Sequence, residues 1–188
     1  SRLLPTIRSR CRELRCNRLS PPDLQQAISQ AGHPSDQSAS LATLAGGSAG
    51  DAIRLLNHDG LPLYAEIVKT LGGVPRIDRP AALRLADACA GRGADVRFGL
   101  TLDLIDLFLS RAARAGLMGE PAAQGAPGEA RLLARIAPDD RAARRWAQLQ
   151  QDLTERSRHG RAVNLDPAAL ILDMIFKIEE TAQATAIA

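Results

Sequence analysis

Three arginines near the start of the chain are the side chains best suited to act on a phosphate. Arg8, Arg10 and Arg12 alternate with a serine and a cysteine, directly after the short apolar segment 3–7. The planar guanidinium group matches phosphate oxygens, and an arginine supplied in trans can stabilise the charge that develops on a transferred phosphoryl group. Since an arginine at a domain edge is usually a surface residue, the surrounding sequence must decide between the two interpretations.

Other catalytic chemistries find little support in the chain. The sequence contains no Gly-x-x-x-x-Gly-Lys-Ser/Thr motif, so these residues cannot cradle nucleotide phosphates in a P-loop. His33, His58 and His159 lie at predicted helix ends or connections, without a cysteine or carboxylate at metal-ligand spacing. We expect surface or capping roles for these histidines, and no metal site.

Two cysteines and two acidic pairs have simpler interpretations than catalysis. Cys11 and Cys16 lack a second pair downstream, so we expect small buried apolar residues there and no zinc site. Asp139-Asp140 follows a proline, as is typical of the acidic first turn of a helix. The pair Glu179-Glu180 is expected on the solvated side of the last helix.

The composition predicts an all-α protein. Alanine and leucine dominate the apolar residues, aromatic residues make up 3%, and β-branched residues are scattered. The formal net charge is +3, and acidic and basic residues are interspersed, which favours a mixed-charge surface over a nucleic-acid footprint. Nothing resembles a signal peptide, and the apolar runs are short, so we expect a cytoplasmic protein.

The first predicted region, residues 1–19, holds the arginine-rich segment and a candidate strand. Leu14 and Cys16 alternate with polar neighbours, which is the pattern of a half-buried strand. Because a lone strand is unstable, we expect its partners in an N-terminal part that precedes these residues. This chain would then be the C-terminal fragment of a longer protein.

The second region, residues 20–58, is predicted to be a three-helix unit. Ser20-Pro-Pro-Asp23 supplies an N-cap and an acidic residue three positions later, and Ser48-Ala-Gly-Asp51 repeats that spacing. Between these two starts, Asp36 is the expected cap of a helix that ends at Gly46-Gly47.

The third region, residues 60–188, is predicted to be a helical bundle. Helices are expected at about 61–71, 79–91, 95–115, 128–136, 139–158 and 166–184, from apolar residues at three- and four-residue spacing. The glycine-, proline- and alanine-rich stretch Gly116–Gly128 is predicted to be a mobile loop.

Two segments resemble the AAA+ clamp-loader family. Leu4-Pro-Thr-Ile-Arg-Ser-Arg-Cys11 is similar to the Ser-Arg-Cys motif of these ATPases, including the Leu-Pro-Thr-Ile that commonly precedes it. Gly47-Ser-Ala-Gly-Asp-Ala52 resembles their sensor 2 segment, in which ATP-binding members carry Gly-Ser-x-Arg-Asp-Ala. Gly50 stands where those members have the arginine, and Arg54 lies one turn further on.

The resemblance implies a fold and a set of roles. Residues 1–19 would be the remnant of the AAA+ core, 20–58 the lid, and 60–188 the collar that holds a ring of five subunits together. Arg10 would be an arginine finger for ATP bound by the adjacent subunit, with Ser9 and Cys11 supporting its turn. No cofactor is expected in the fragment itself. The implied partners are clamp-loader subunits of delta and gamma/tau type and, through the whole complex, the sliding clamp and primed DNA.

Within the family, a retained finger and a lost sensor arginine are typical of subunits of the delta-prime type of bacterial DNA polymerase III, which generally do not hydrolyse ATP. One alternative is the C-terminal part of a gamma/tau-type ATPase subunit. Another is a helical interaction module unrelated to AAA+ proteins, in which Arg10 has no catalytic role. Exposed apolar faces of the collar would allow the isolated fragment to form a homodimer.

Overall fold

The computed structural model describes residues 4–12, 14 and 16–186, and within them the chain is all α-helical with no strand. The predicted all-α class is therefore confirmed. The ten helices of this part are α1 (Pro5–Arg8), α2 (Pro21–Gln30), α3 (Ser38–Ala45), α4 (Ala49–Asn57), α5 (Gly60–Leu71), α6 (Arg79–Asp87), α7 (Asp95–Met118), α8 (Glu129–Ile136), α9 (Asp140–Ala162) and α10 (Pro167–Ala186).

Side-chain caps set the start of three helices, and two of these caps, Ser20 and Ser48, are the predicted ones. The hydroxyl of Ser20 accepts a hydrogen bond from a backbone N–H in the first turn of α2, and Ser48 does the same for α4. At α9, Asp139 accepts from the N–H of Ala142 at 2.7 Å. Each bond satisfies an N–H that the helix itself leaves unpaired, so local chemistry fixes these boundaries.

The start of α3 differs from the prediction. Asp36 is not its cap: the helix begins at Ser38, and the capping position belongs to Gln37, which makes no side-chain capping bond. The N–H of Gln37 instead donates to the hydroxyl of Ser35 at 3.2 Å. The end of α3 is as predicted, because Gly46 adopts the left-handed conformation that closes many helices.

The predicted strand around Leu14 and Cys16 is wrong for the residues described. Residues 14 and 16–20 form no strand, Leu14 is 85% exposed, and Cys16 is exposed. Residues 13 and 15 lie outside the described part of the chain. Alternation of apolar and polar residues makes a stable strand only beside a partner strand, and the described residues supply none.

The centre of the protein is an antiparallel pair of long helices, α7 and α9. Asp106 of α7 accepts a hydrogen bond from Thr154 of α9 at 2.7 Å, and the two backbones come close at Gly116. A Cβ at Gly116 would lie 2.4 Å from the carbonyl oxygen of Asp139, so only glycine permits this approach. Further along α9, Trp146 is fully buried, and its indole N–H donates to the carbonyl of Ile136 at 2.8 Å.

The three-helix unit α2–α4 shares one continuous hydrophobic core with the helices that follow it. This core extends along the chain from Leu24 to Ala182. Contacts between α4 and α5 close the junction at Gly60, where a Cβ would lie 2.4 Å from a methyl group of Leu55. Among the described residues, none of the helices is both long enough and apolar enough to cross a membrane.

Candidate functional site

The three residues of the predicted finger motif come together in one tight turn that ends α1. The backbone N–H groups of Arg10 and Cys11 both donate to the carbonyl of Ile7, at 3.1 and 3.0 Å. The hydroxyl of Ser9 donates to the carbonyl of Thr6 at 3.1 Å. This hydroxyl bond ties the turn to the helix before it, and the role of Ser9 in supporting a finger stays a prediction.

The described side chains of this turn lie at the surface. Ser9, Arg10, Cys11 and Arg12 are all exposed, while the side chain of Arg8 lies outside the described part of the chain. The expectation that Cys11 and Cys16 are buried is wrong, because both thiols are exposed, and the supporting role of Cys11 in the motif stays a prediction. Arg10 is exposed, so its side chain is accessible to a ligand outside the chain.

The second motif forms the first turn of α4. A Cβ at Gly50 would have no neighbour nearer than the Ser48 hydroxyl oxygen at 4.0 Å, so this position has open space around it. Arg54 does not fill the place of the missing arginine. Its guanidinium pairs with Asp103 of α7 at 2.7 Å, on the side where the three-helix unit meets the bundle.

A cleft of about 940 Å³ lies beside this motif. Its walls are the segment 16–19, the turn between α3 and α4, and the second half of α7, which contributes Arg111 and Arg114. The segment 16–19 is held in place by the N–H of Leu19, which donates to the carbonyl of Gly47 at 3.0 Å. Arg10 does not line this cleft.

The histidines lie where the sequence predicts. His58 caps the C-terminus of α4, His159 is in the last turn of α9, and His33 follows α2. Across the described part of the chain, no group of three or more His, Cys, Asp or Glu side chains is placed to hold a metal ion.

The two acidic pairs behave differently from each other. Asp139 is the cap of α9 and Asp140 lies in its first turn, so the predicted acidic start of this helix is confirmed. Glu179 does not lie on a solvated face: it is buried, and its carboxylate accepts from the N–H of Ile77 and from a guanidinium N–H of Arg79, both at 2.8 Å. Glu180 is exposed. The prediction for Glu179 is thus wrong, because the segment before α6 folds over this side of α10.

The sequence did not predict a second buried carboxylate, that of Glu129. Glu129 is fully buried at the start of α8, and its oxygens accept from the hydroxyl of Tyr64, the guanidinium of Arg111 and the N–H of Gly125, each at 2.5 Å. Burial raises the pKa of Tyr64 far above its ordinary value, and the negative charge of Glu129 raises it further. Tyr64 therefore remains a hydrogen-bond donor.

Comparison with protein-family models, curated proteins and solved structures finds no match to this chain. The resemblance described above therefore depends on its own two segments, residues 4–11 and 47–52.

Proposed function

We propose that this chain is part of a delta-prime-type clamp-loader subunit, which offers Arg10 in trans to ATP bound by a neighbouring subunit. The observation that carries the proposal is the exposed guanidinium of Arg10 on a hydrogen-bonded turn, within the segment that resembles the Ser-Arg-Cys motif. An arginine finger needs both properties, since its backbone must be held while its side chain reaches another protein.

The chemical role of Arg10 would be electrostatic. During hydrolysis, negative charge redistributes over the oxygens of the transferred phosphoryl group and the leaving group. A guanidinium from the adjacent subunit stabilises that charge with hydrogen bonds that a planar fork makes well. The ATP would be held by the neighbour.

The first turn of α4 supports the delta-prime type over the gamma/tau type. Gly50 carries no side chain to contact a nucleotide, and Arg54 is occupied by Asp103. A chain with this turn would complete a neighbour's site without sensing a nucleotide of its own.

The helices from α5 onward would serve as the collar. In this proposal they pack against subunits of delta and gamma/tau type in a hetero-pentamer, which opens the sliding clamp and places it on primed DNA in the cytoplasm. Residues 20–58 would be the lid.

The first experiment tests assembly. The chain is mixed with purified delta-type and gamma/tau-type subunits of its own organism, and size-exclusion chromatography shows whether they elute together. Failure to associate would contradict the proposal and favour a helical interaction module unrelated to AAA+ proteins. A P-loop elsewhere in the same polypeptide would favour the gamma/tau type.

The second experiment tests the finger in the assembled complex that contains the complete subunit. Arg10→Ala should leave assembly intact and slow ATP turnover at the neighbouring site by about 10³-fold, the lower range for arginine fingers. Arg12→Ala is the matched control, because Arg12 is exposed two residues away. Equal ATP turnover and clamp loading by the Arg10→Ala and Arg12→Ala complexes would exclude Arg10 as the finger.

A further inference from the structure

The loop between α7 and α8, residues 119–128, is fixed in its second half. Gly125 and Ala126 are buried, unlike the exposed residues 122–124 before them. Arg111 of α7 donates to the carbonyl of Ala123 at 2.7 Å, and the N–H of Gly125 donates to Glu129. The sequence predicts a mobile loop here, and these bonds instead fasten it to the protein.

Gly125 is wedged between two parts of the molecule. A Cβ at this position would lie 2.4 Å from a methyl carbon of Leu44 and 2.8 Å from a ring carbon of Tyr64. Leu44 belongs to α3 of the three-helix unit, whereas Tyr64 belongs to α5 of the bundle. The loop therefore contacts both parts at one residue, and a larger side chain there would have to displace Leu44 and Tyr64.

Glu129 connects this wedge to two helices of the bundle. One carboxylate oxygen accepts from Tyr64 of α5 and from Arg111 of α7, and the other accepts from Gly125 of the loop. A buried carboxylate is costly unless hydrogen-bond donors and a counter-charge surround it. Loss of its charge weakens all three bonds together, since ionised acceptors make the stronger hydrogen bonds.

We propose that residues 119–128 form a strap that fastens the three-helix unit to the bundle, and that Glu129 is its latch. When the latch is weakened, Gly125 leaves its place between Leu44 and Tyr64, and α3 opens from the bundle with the strap. This inference goes beyond the proposed function and does not depend on it, because it concerns how two parts of one chain are coupled.

Hydrogen exchange measured by mass spectrometry on the whole chain tests the latch. Glu129→Gln keeps the size of the side chain and removes its charge. We expect amides of the strap and of α3 to exchange about tenfold faster or more, as for a cooperative local opening. Exchange in α9 should change less.

Glu179→Gln is the matched control, because Glu179 is a second buried glutamate with a backbone N–H and an arginine as partners. It should speed exchange in residues 74–87 and leave α3 unchanged. The proposal is overturned if Glu129→Gln loosens the strap without α3, or if both variants loosen α3 equally.

A second variant keeps the test decisive if Glu129→Gln does not fold. Gly125→Ala leaves the carboxylate intact and pushes the wedge out by steric contact with Leu44 and Tyr64. The same joint opening of the strap and α3 is expected. Unchanged exchange in α3 in Gly125→Ala would contradict the proposal by itself.

Discussion

Residues 4–19 and residues 20–186 are held in place by different kinds of contact. In the first segment, the described side chains are exposed up to Arg18, and the bonds of the finger turn join near neighbours in sequence. In the second, buried hydrogen bonds join residues as far apart as Ile77 and Glu179. The residues of the predicted arginine finger thus have local support, while tertiary support is concentrated in the helices that follow.

The largest expected difference between the regions is in thiol reactivity. Cys11 and Cys16 are exposed, whereas Cys89 is buried and lies 3.2 Å from the hydroxyl of Thr101. Burial raises the pKa of the Cys89 thiol, so less of the reactive thiolate is present there. In the native protein, Cys89 should react with a thiol reagent ~10³-fold more slowly than the other two, since labelling requires opening of the core.

Variants that keep one cysteine and replace the other two by serine would give the labelling rate of each thiol. Fast labelling of Cys89 in the folded protein would remove the contrast between the two regions.

The second largest difference between the regions is expected in the free energy of unfolding when a large side chain is truncated. Trp146→Ala removes a fully buried indole, and we expect a loss of about 3–5 kcal/mol in the free energy of unfolding. Leu14→Ala, in the exposed segment, should change it by less than about 0.5 kcal/mol. Urea denaturation followed by circular dichroism measures both. A Leu14→Ala effect close to that of Trp146→Ala would show that the first segment belongs to the core.

The junction between the regions can be tested at Gly47. A Cβ there would lie 2.8 Å from the carbonyl oxygen of Leu19, and Gly47 also has a positive φ of 82°. Gly32 has nearly the same φ, 83°, and no neighbour within 4 Å. Gly32→Ala should therefore cost only the left-handed conformation, about 1 kcal/mol, and Gly47→Ala should cost more. Equal costs in urea denaturation would mean that segment 16–19 is not held against Gly47.

The smallest expected effect is a gain in stability from a substitution within residues 20–186. Gly99 lies inside α7, and a Cβ there would meet nothing within 4 Å. Gly99→Ala should stabilise the protein by about 0.5–1 kcal/mol, because alanine restricts the unfolded chain and favours the helix. The midpoint of thermal unfolding should rise, and a lower midpoint would indicate that the face of α7 at Gly99 is more crowded than the structure has it.

Local signals in the sequence predicted most of the fold, and distant partners account for what was missed. Ser20 and Ser48 act within one helical turn, so their spacing to the next acidic residue suffices to predict helix starts. The partners of Glu129 and Glu179 lie as far as 65 and 102 residues away. A glutamate in a helical pattern is predicted to be solvated unless the tertiary fold is known, and the strap was missed for the same reason.

The candidate site likewise combines features that the sequence predicts with features that depend on the tertiary fold. The tight turn at Ser9 and Arg10 follows from neighbouring residues, and the sequence could indicate it. That Arg54 pairs with Asp103 depends on how α4 meets α7, which no local pattern contains.

The open space at Gly50 means that the first turn of α4 could be given an arginine without rebuilding the helix. The cap at Ser48 would remain, and the new side chain would extend from a backbone that is already helical. Gly50→Arg would therefore add a charged side chain to this turn and leave the helix unchanged. A single substitution can thus add or remove a positive charge at this turn, independently of the packing that holds the protein together.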